Sequence, residues 1–292
     1  MHKQIGQAIV EHIILWPVLI LVTLGSIQLA LLYRAKATLN EAALRAVREG
    51  ALQHAYKSPM RKAFIEALIP LYQKSGAGLA NYSKATTLAY ADNGVSLGGN
   101  QITGQKFIDI EIISPNKEIF SAFAQDMYTL VSACENDIKR ESRDGSDRTR
   151  CKEVRYRQIP NDNLNIRPNN TKNVIVRGQA LTINLQDANL LKIRVHWCAP
   201  LDVPLVSSVF YAASEALSTW NLDFWEFYEL SGGNSHEHWS ECSAKTASSS
   251  AGGKAKVYYI PISVDSITRM QSAIRCEGDE VAGRVNRCTN LE

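Results

Sequence analysis

The residue in this chain whose type and position most clearly suggest a chemical role is Glu11, a carboxylate beside a long apolar run. The run from Ile13 to Tyr33 is 21 residues long and contains no Asp, Glu, Lys or Arg. A carboxylate at membrane depth costs roughly 2.5–3.5 kcal/mol at the centre of a helix and less near its edge, so it usually has a partner. We therefore expect Glu11 either to form an ion pair or to lie at the headgroup level of a plain membrane anchor.

A second group of residues that could do chemistry lies far along the chain. His236, Glu237 and His238 are followed by Glu241 and Cys242 in a segment rich in Gly and Ser. Two histidines two residues apart can chelate a metal, but the HExxH spacing of a helical zinc site is absent. We favour a polar loop with Cys242 in a disulfide, and we expect no metal and no cofactor.

Sequence motifs of the common catalytic folds are absent. The chain contains no GxSxG, P-loop or GxGxxG pattern, and its Asp and Glu residues are scattered as on a solvated surface. The formal charge of +3 is too small to indicate nucleic-acid binding. The charged stretch 135–157 could form a basic patch, but acidic residues interrupt it, and a solvated loop is the better interpretation. We therefore predict a protein that is not an enzyme and binds no nucleic acid.

The cysteines indicate the compartment. All six lie on the C-terminal side of the apolar run, and no CxxC pair occurs: Cys134, Cys151, Cys198, Cys242, Cys276 and Cys288. An even number on one side favours three disulfides and an oxidising environment over free buried thiols. Of the 15 possible connectivities, pairing between sequence neighbours is the simplest, which gives Cys134–Cys151, Cys198–Cys242 and Cys276–Cys288.

The apolar run must form the element that positions Glu11. At 1.5 Å per residue, a helix of this length spans a bilayer core of roughly 30 Å. The run is also longer than the apolar core of a cleaved secretory signal, which has about 7–15 residues. The sequence therefore predicts a membrane-spanning helix with an acidic residue at one end.

The N-terminal segment resembles a known family. Gly6-Gln7-Ala8-Ile9-Val10-Glu11, after a short leader with Lys3, is similar to the prepilin peptidase site of type IV pilins. Together with Pro17 and the helical pattern of Leu31–Ala51, it resembles the TadE-like family, the minor pilins (pseudopilins) of tight-adherence or Flp pilus systems. The resemblance is densest over residues 6–56. His12 departs from the family, which often has an aromatic residue after the Glu.

The resemblance implies specific roles and partners. Cleavage after Gly6 would make Gln7 the first residue and Glu11 the fifth, and the new amine would be methylated. Glu11 would then meet the N-terminal amine of a neighbouring subunit during docking. The implied partners are a prepilin peptidase, other pilins of the same filament, an inner-membrane assembly platform and the lipid bilayer.

Two signals disagree on topology. Lys3 precedes the apolar run, whereas Arg34, Lys36, Arg45 and Arg48 follow it, and the positive-inside rule alone would place the C-terminal side in the cytoplasm. Long domains translocate regardless of charge, so we give more weight to the cysteines and to the resemblance. We expect a single-pass protein of a bacterial inner membrane, with the N-terminus cytoplasmic and the C-terminal domain periplasmic.

The predicted fold class is α+β, with a long N-terminal transmembrane and spine helix followed by a disulfide-bonded periplasmic domain. We divide the chain into a leader (1–6), the helix (7–56), a first helical and strand part (57–160) and a strand-rich, cysteine-containing second part (161–292). Hydrophobic periodicity predicts helices over 60–73, 80–91, 119–131, 205–228 and 267–274, strands over 107–113, 174–176, 180–185, 190–197 and 257–262, and a mobile loop over 231–253.

From the sequence we therefore expect a minor pilin that takes part in assembly of a tight-adherence pilus. The alternative is a periplasmic binding or enzymatic domain tethered by an uncleaved signal anchor. The two hypotheses differ in what they require of Gly6 and Glu11, which matter only to the first.

Overall fold

Helix α1 (Ile5–Leu52) runs without interruption through the apolar run and into the folded domain, as the sequence predicts. The structure, a computed structural model, describes residues 5–73, 78–100, 107–130, 153–162, 164, 170–176, 178–219, 238–249, 256–276 and 291, with the backbone alone at 5–11, 14, 126–130, 153–156 and 217–219. Pro17 lies inside α1 without ending it.

The domain that follows α1 mixes helices and strands, which confirms the predicted α+β class. In chain order the elements are α2 (Lys57–Tyr72), α3 (Leu79–Asp92), β1 (Ile108–Ser114), α4 (Lys117–Phe123), β2 (Gln125–Leu130), β3 (Glu153–Ile159), β4 (Lys172–Val176), β5 (Gln179–Ile183), α5 (Leu185–Ala188), β6 (Leu190–Leu201), α6 (Val206–Thr219), α7 (Trp239–Ser249), β7 (Tyr258–Arg269) and β8 (Ile274–Arg275).

The central sheet has the antiparallel order β1-β6-β7. Trp197 of β6 lies opposite Ile108 of β1 and Ile262 of β7, so β6 is paired on both sides. Alternate residues of β6 are buried from Leu191 to Val195, as its apolar and polar alternation predicts. The sheet thus joins a strand from the first predicted part of the domain with two from the second.

Two smaller sheets flank this centre. Strands β2, β3 and β8 form an antiparallel sheet, and β4 and β5 form a hairpin through Gly178, which has a φ of 81°. Asn184 caps α5 with a reciprocal capping box to Asp187, and β6 follows immediately.

The core forms where the second half of α1 lies against β6, β7 and α2. The inward stripe of α1 recurs at three- and four-residue steps, and its five central members are fully buried: Leu39, Ala42, Ala43, Ala46 and Val47. Four of the six stripe positions from Leu39 to Ala51 are alanines, so the helix axis can approach the sheet closely. The predicted spine helix is therefore docked on the domain by this stripe.

Three local predictions were wrong. The helix predicted over 119–131 ends at Phe123, and the chain then forms β2, because Gln125–Leu130 pairs with β3 from Gln158 to Glu153. The helix predicted over 267–274 is not formed, because the β6–β7 ladder continues to the Leu190–Arg269 pair. Tertiary pairing outweighs a weak local pattern in both segments.

The third correction concerns the loop predicted over 231–253, in which residues 239–249 form helix α7. Cys242 and Thr246 are buried one turn apart, and the disulfide Cys198–Cys242 ties the helix to β6. A short Ser-rich helix is marginal alone, so packing and the disulfide account for it. The remainder of that predicted loop lies outside the described residues.

Candidate functional site

The first two turns of α1 carry the three residues predicted to function in processing and docking. Gly6, Gln7 and Glu11 are all helical, and Glu11 lies about 7.5 Å along the axis from Gly6. The side chains of residues 5–11 are not among those described, so the roles of Gly6, Gln7 and Glu11 stay predictions. The leader residues Met1–Gln4 lie outside the described part of the chain.

The apolar half of α1 is exposed. Trp16, Val18 and Val22 are 59%, 55% and 64% exposed, and only 11% of the most apolar 18-residue window is buried by the rest of the chain. A core helix of a water-soluble protein would be covered by its own domain, because such a large exposed apolar surface is unfavourable in water. This helix is long and apolar enough to cross a membrane, and it fits a single-pass anchor.

Polar groups within the exposed apolar half are satisfied inside the helix. The Thr23 hydroxyl donates to the carbonyl oxygens of Leu19 and Ile20 at 2.9 Å, and the Ser26 hydroxyl donates to that of Thr23 at 2.8 Å. Such bonds remove the need for water, which a hydrocarbon environment lacks.

Gln28 marks the change from the exposed half to the docked half. Its side chain is fully buried although it lies within the apolar run. Oε1 accepts a hydrogen bond of 3.0 Å from the backbone N–H of Val203, in the turn between β6 and α6. Its Nε2 has no hydrogen-bond partner among the described residues. The domain therefore reaches the helix at Gln28, inside the apolar run rather than beyond its end.

The C-terminal end of α1 is held by the turn between β7 and β8. The Ala51 carbonyl oxygen accepts hydrogen bonds from the N–H groups of Gln271 and Ser272 and from the Ser272 hydroxyl, at 2.9–3.1 Å. The His54 N–H donates to the Ser272 hydroxyl at 2.9 Å, and the His54 ring bonds the Ala273 carbonyl at 2.7 Å. These contacts satisfy the Ala51 carbonyl, one of those that a helix end leaves unpaired, and hold the residues that follow the helix.

The predicted metal-cluster candidate is partly described. His236 and Glu237 lie outside the described residues, and Cys242 forms the predicted disulfide with Cys198, so its sulfur is not available as a thiolate ligand. The His238 Nδ1 lies 3.3 Å from Glu241 Oε2. Within the described ranges, no group of three or more His, Cys, Asp or Glu side chains is arranged to hold a metal.

His238 instead stacks on a histidine of the central sheet. The rings of His196 and His238 lie 3.7 Å apart at 27°, and the His196 Nδ1 is 2.6 Å from the Ser263 hydroxyl. Burial first, and then the adjacent His238, lower the pKa of His196 from 6.5 to about 4. The His196 ring is therefore neutral at neutral pH and packs against the His238 ring.

Only one of the four remaining cysteines lies among the described residues. Cys276 is disulfide-bonded and buried. Cys134, Cys151 and Cys288 lie outside the described residues, so the predicted pairs Cys134–Cys151 and Cys276–Cys288 stay predictions.

A buried polar network, for which the sequence carries no local pattern, ties four elements together. Lys245 of α7 donates to Asp92 Oδ2 at 2.8 Å, and the Tyr72 hydroxyl donates to the same oxygen at 2.9 Å. Asn93 Nδ2 donates to the Tyr72 oxygen, and Trp197 Nε1 donates to Asn93 Oδ1. Burial lowers the pKa of Lys245, and Asp92 acts in the opposite direction. The network links α2, α3, β6 and α7 by buried hydrogen bonds, and we interpret it as stabilising their packing.

Comparison with known proteins agrees with the N-terminal motif. A family model described as TadE-like protein matches residues 6–48, which confirms the resemblance predicted from the sequence. No curated protein and no solved structure matches the chain. The matched segment covers the exposed half of α1 and most of its docked half.

Proposed function

We propose, on the premise that residues 6–48 form a TadE-like segment, that this chain is a minor pilin of a tight-adherence pilus. The observation that carries the proposal is the division of α1 into two halves within the matched segment. The first half is apolar and exposed, and the second is docked on the domain through a buried stripe. A pilin subunit needs both, because the exposed half must leave the membrane for the filament while the domain stays attached.

In this proposal Gly6 acts first, in cleavage, and Glu11 acts afterwards, in docking. A prepilin peptidase cuts after Gly6, which frees the amine of Gln7, and that amine is then methylated. An α-amino group has a reference pKa of about 7.7–8.0, so it is mostly cationic at neutral pH. Glu11 of one subunit then pairs with the amine of a neighbour, which offsets the desolvation of both charges and sets the register between subunits.

The anchor and the disulfides support a compartment for the domain. The Cys198–Cys242 bridge and the disulfide-bonded Cys276 support an oxidising compartment on the C-terminal side of α1. We therefore place the domain in the periplasm and the leader in the cytoplasm, with other pilins and the inner-membrane assembly platform as partners. Membrane anchorage by α1 gives contact with the bilayer before assembly.

N-terminal sequencing of the membrane-extracted protein tests the proposal. In cells with an active prepilin peptidase we expect a mature chain that begins at Gln7, and in matched cells without the peptidase a chain that begins at Met1. A Gly6→Val variant should stay uncut in both. Met1 on the protein from peptidase-positive cells would refute processing and would favour a plain tether.

A further inference from the structure

We propose that the exposed face of α6 lies in the interfacial layer of the periplasmic leaflet of the inner membrane, beside the end of the membrane helix. Five apolar residues on α6 and the residue before it make up this face, which we call the α6 stripe: Leu205, Val209, Ala212, Ala213 and Ala216. The inference rests on the proposed membrane anchorage by α1 and adds a second membrane contact to it.

The α6 stripe is a continuous surface. Its four members within α6 recur at intervals of three and four residues, so they share one side of the helix, and Leu205 immediately precedes the helix with a φ of 69°. All five are exposed, with Leu205 at 70% and Val209 at 59%. Ser208 and Glu215 are also exposed, but they lie about 90–110° around the helix from the centre of the helical part of the stripe, at 100° per residue. The exposed surface of α6 thus has an apolar side and a polar edge.

The opposite side of α6 is fixed to the protein. Ser214, about 150° around the helix from the centre of the stripe, is buried. The Tyr211 ring packs 5.3 Å from that of Trp239 and 5.0 Å from that of Tyr258, between α7 and β7. The helix therefore cannot turn the stripe inward without breaking these contacts.

The position of α6 along α1 sets its depth in the membrane. Phe210 faces Gly25, since a Cβ at Gly25 would lie 3.9 Å from the Phe210 ring, and Gln28 binds Val203 just before α6. Gly25 and Gln28 lie about 12 Å and 7.5 Å along the axis from Tyr33, the last residue of the apolar run. Interfacial helices bury their apolar face about 5–10 Å into the boundary between headgroups and acyl chains. The segment from Val203 to Phe210 therefore lies at that depth or slightly deeper.

The backbone entering α6 is suited to a region with little water. The Val203 N–H is bound by Gln28, and Pro204 has no N–H group. The Val206 N–H donates to the Pro204 carbonyl and the Ser207 N–H to the Val203 carbonyl, at 2.9 and 3.0 Å. Irregular backbone at membrane depth is tolerated where its polar groups are satisfied by protein.

Lipid is the occupant that these observations favour. The α6 stripe lies on a helix that packs beside the exposed apolar half of α1 at Gly25, so we expect the medium that covers α1 to reach the stripe as well. Exposed alone in water, the combined surface would be unfavourable. The competing occupant is the domain of a second copy, which would cover the stripe by direct contact.

Photocrosslinking of the full-length chain in phospholipid vesicles tests the inference. Benzoylphenylalanine replaces one exposed residue at a time, and the vesicles contain a radiolabelled phospholipid. The test position is Val209, its neighbour Ser208 reports the polar edge, Val22 reports the membrane helix, and Ile175 of β4, which is 68% exposed, reports the domain surface.

We expect position 209 to label lipid at a level comparable to position 22 and several-fold above positions 208 and 175. If position 22 labels lipid but position 209 labels it no more than position 175 does, the inference is overturned, whereas the membrane anchor still holds. Crosslinking of 209 to a second copy of the chain would also overturn it, in favour of a subunit contact. Absence of labelling at 22 would refute membrane anchorage itself.

Discussion

Gln28 and Val203 are 175 residues apart in sequence, yet the Gln28 amide oxygen accepts the Val203 N–H at 3.0 Å inside a fully buried contact. This bond joins the apolar half of α1 to the turn that leads into α6. The bond explains why a polar residue, Gln28, lies within the apolar run.

Loss of the Gln28 acceptor should loosen this turn. In Gln28→Met the side chain keeps its size, but the buried Val203 N–H loses its partner, at a cost of about 1–3 kcal/mol. We expect hydrogen exchange at the Val203 amide in the membrane-reconstituted chain to become about fivefold faster or more. Ser26→Ala, two residues away and exposed, is the control and should leave that amide unchanged. Equal exchange in wild type and Gln28→Met would show that the bond does not hold the turn.

Glu11 should be needed for assembly and not for insertion. We expect Glu11→Ala to be expressed and inserted in the membrane as wild type but to be absent from sheared pili, because the cationic amine of the neighbour would lack its partner. Glu11→Gln keeps the size and the acceptor oxygen, so a similar loss there would assign the effect to charge. Thr23→Val serves as a control within the same helix. Normal piliation with Glu11→Ala would contradict the role proposed for this residue.

The pair Asp92 and Lys245 should respond asymmetrically to substitution. The Lys245 side chain is 4% exposed and that of Asp92 is 31% exposed, so only Asp92 can regain water when its partner is removed. We expect Asp92→Asn, which leaves a buried ammonium unpaired, to lower the free energy of unfolding by about 3 kcal/mol. Lys245→Met should cost less. Urea denaturation of the detergent-solubilised chain measures both.

The double variant Asp92→Asn/Lys245→Met provides the control for that asymmetry. It removes both charges together, so we expect it to be more stable than Asp92→Asn alone. A double variant less stable than either single variant would show that the ion pair is not the source of the effect.

His196 should make the domain sensitive to mild acid. Its pKa is about 4 in the folded chain against 6.5 when unfolded, so the unfolded state binds more protons between these values. The stability contributed by the neutral ring is therefore complete above pH 6.5 and is lost as pH falls toward 4, by up to about 3 kcal/mol.

The measurement is the urea midpoint at pH 7.5 and at pH 4.5. His196→Asn keeps an atom able to bond Ser263 but cannot titrate, so its midpoint should change less between the two pH values than that of wild type. His12→Asn, outside the folded domain, should behave as wild type. The same pH dependence in His196→Asn would assign acid sensitivity to other groups.

Gly50 should tolerate no side chain. A Cβ there would lie 2.5 Å from the Met60 sulfur and 3.0 Å from Leu191 Cδ2, and Met60 is fully buried. We expect Gly50→Ala to lower the melting temperature, at a cost of about 1–3 kcal/mol. Gly98→Ala, whose Cβ would meet only the Ser96 hydroxyl at 3.7 Å, is the matched control. An unchanged melting temperature in Gly50→Ala would show that α1 and α2 can separate at this point.

Features with a strong local period were predictable from the sequence. The alternation through Leu191, Ile193 and Val195 identified the inward face of β6, and the charge-free run identified the apolar half of α1. The Cys198–Cys242 pair was also predicted, because neighbours in sequence are the simplest partners.

Features that depend on distant residues were not predictable. Gln28 was visible as a polar residue in an apolar run, but its partner Val203 could be known only from the fold. Helix α7 has a weak helical pattern and is stabilised by its disulfide and by packing on β7. Lys245 and Asp92 had no sequence signal, because a buried ion pair across 153 residues leaves no local pattern.

The two ends of the docked half of α1 have a mechanical consequence. Gln28 is bonded to Val203 at one end and Ala51 to Ser272 at the other, about 35 Å apart along the axis, with the alanine-rich stripe between them. A pull along α1 therefore loads both ends and the stripe at once, in shear, instead of peeling one contact after another. The helix and the domain would resist extension as a single unit, which the proposed role in a filament would require under tension.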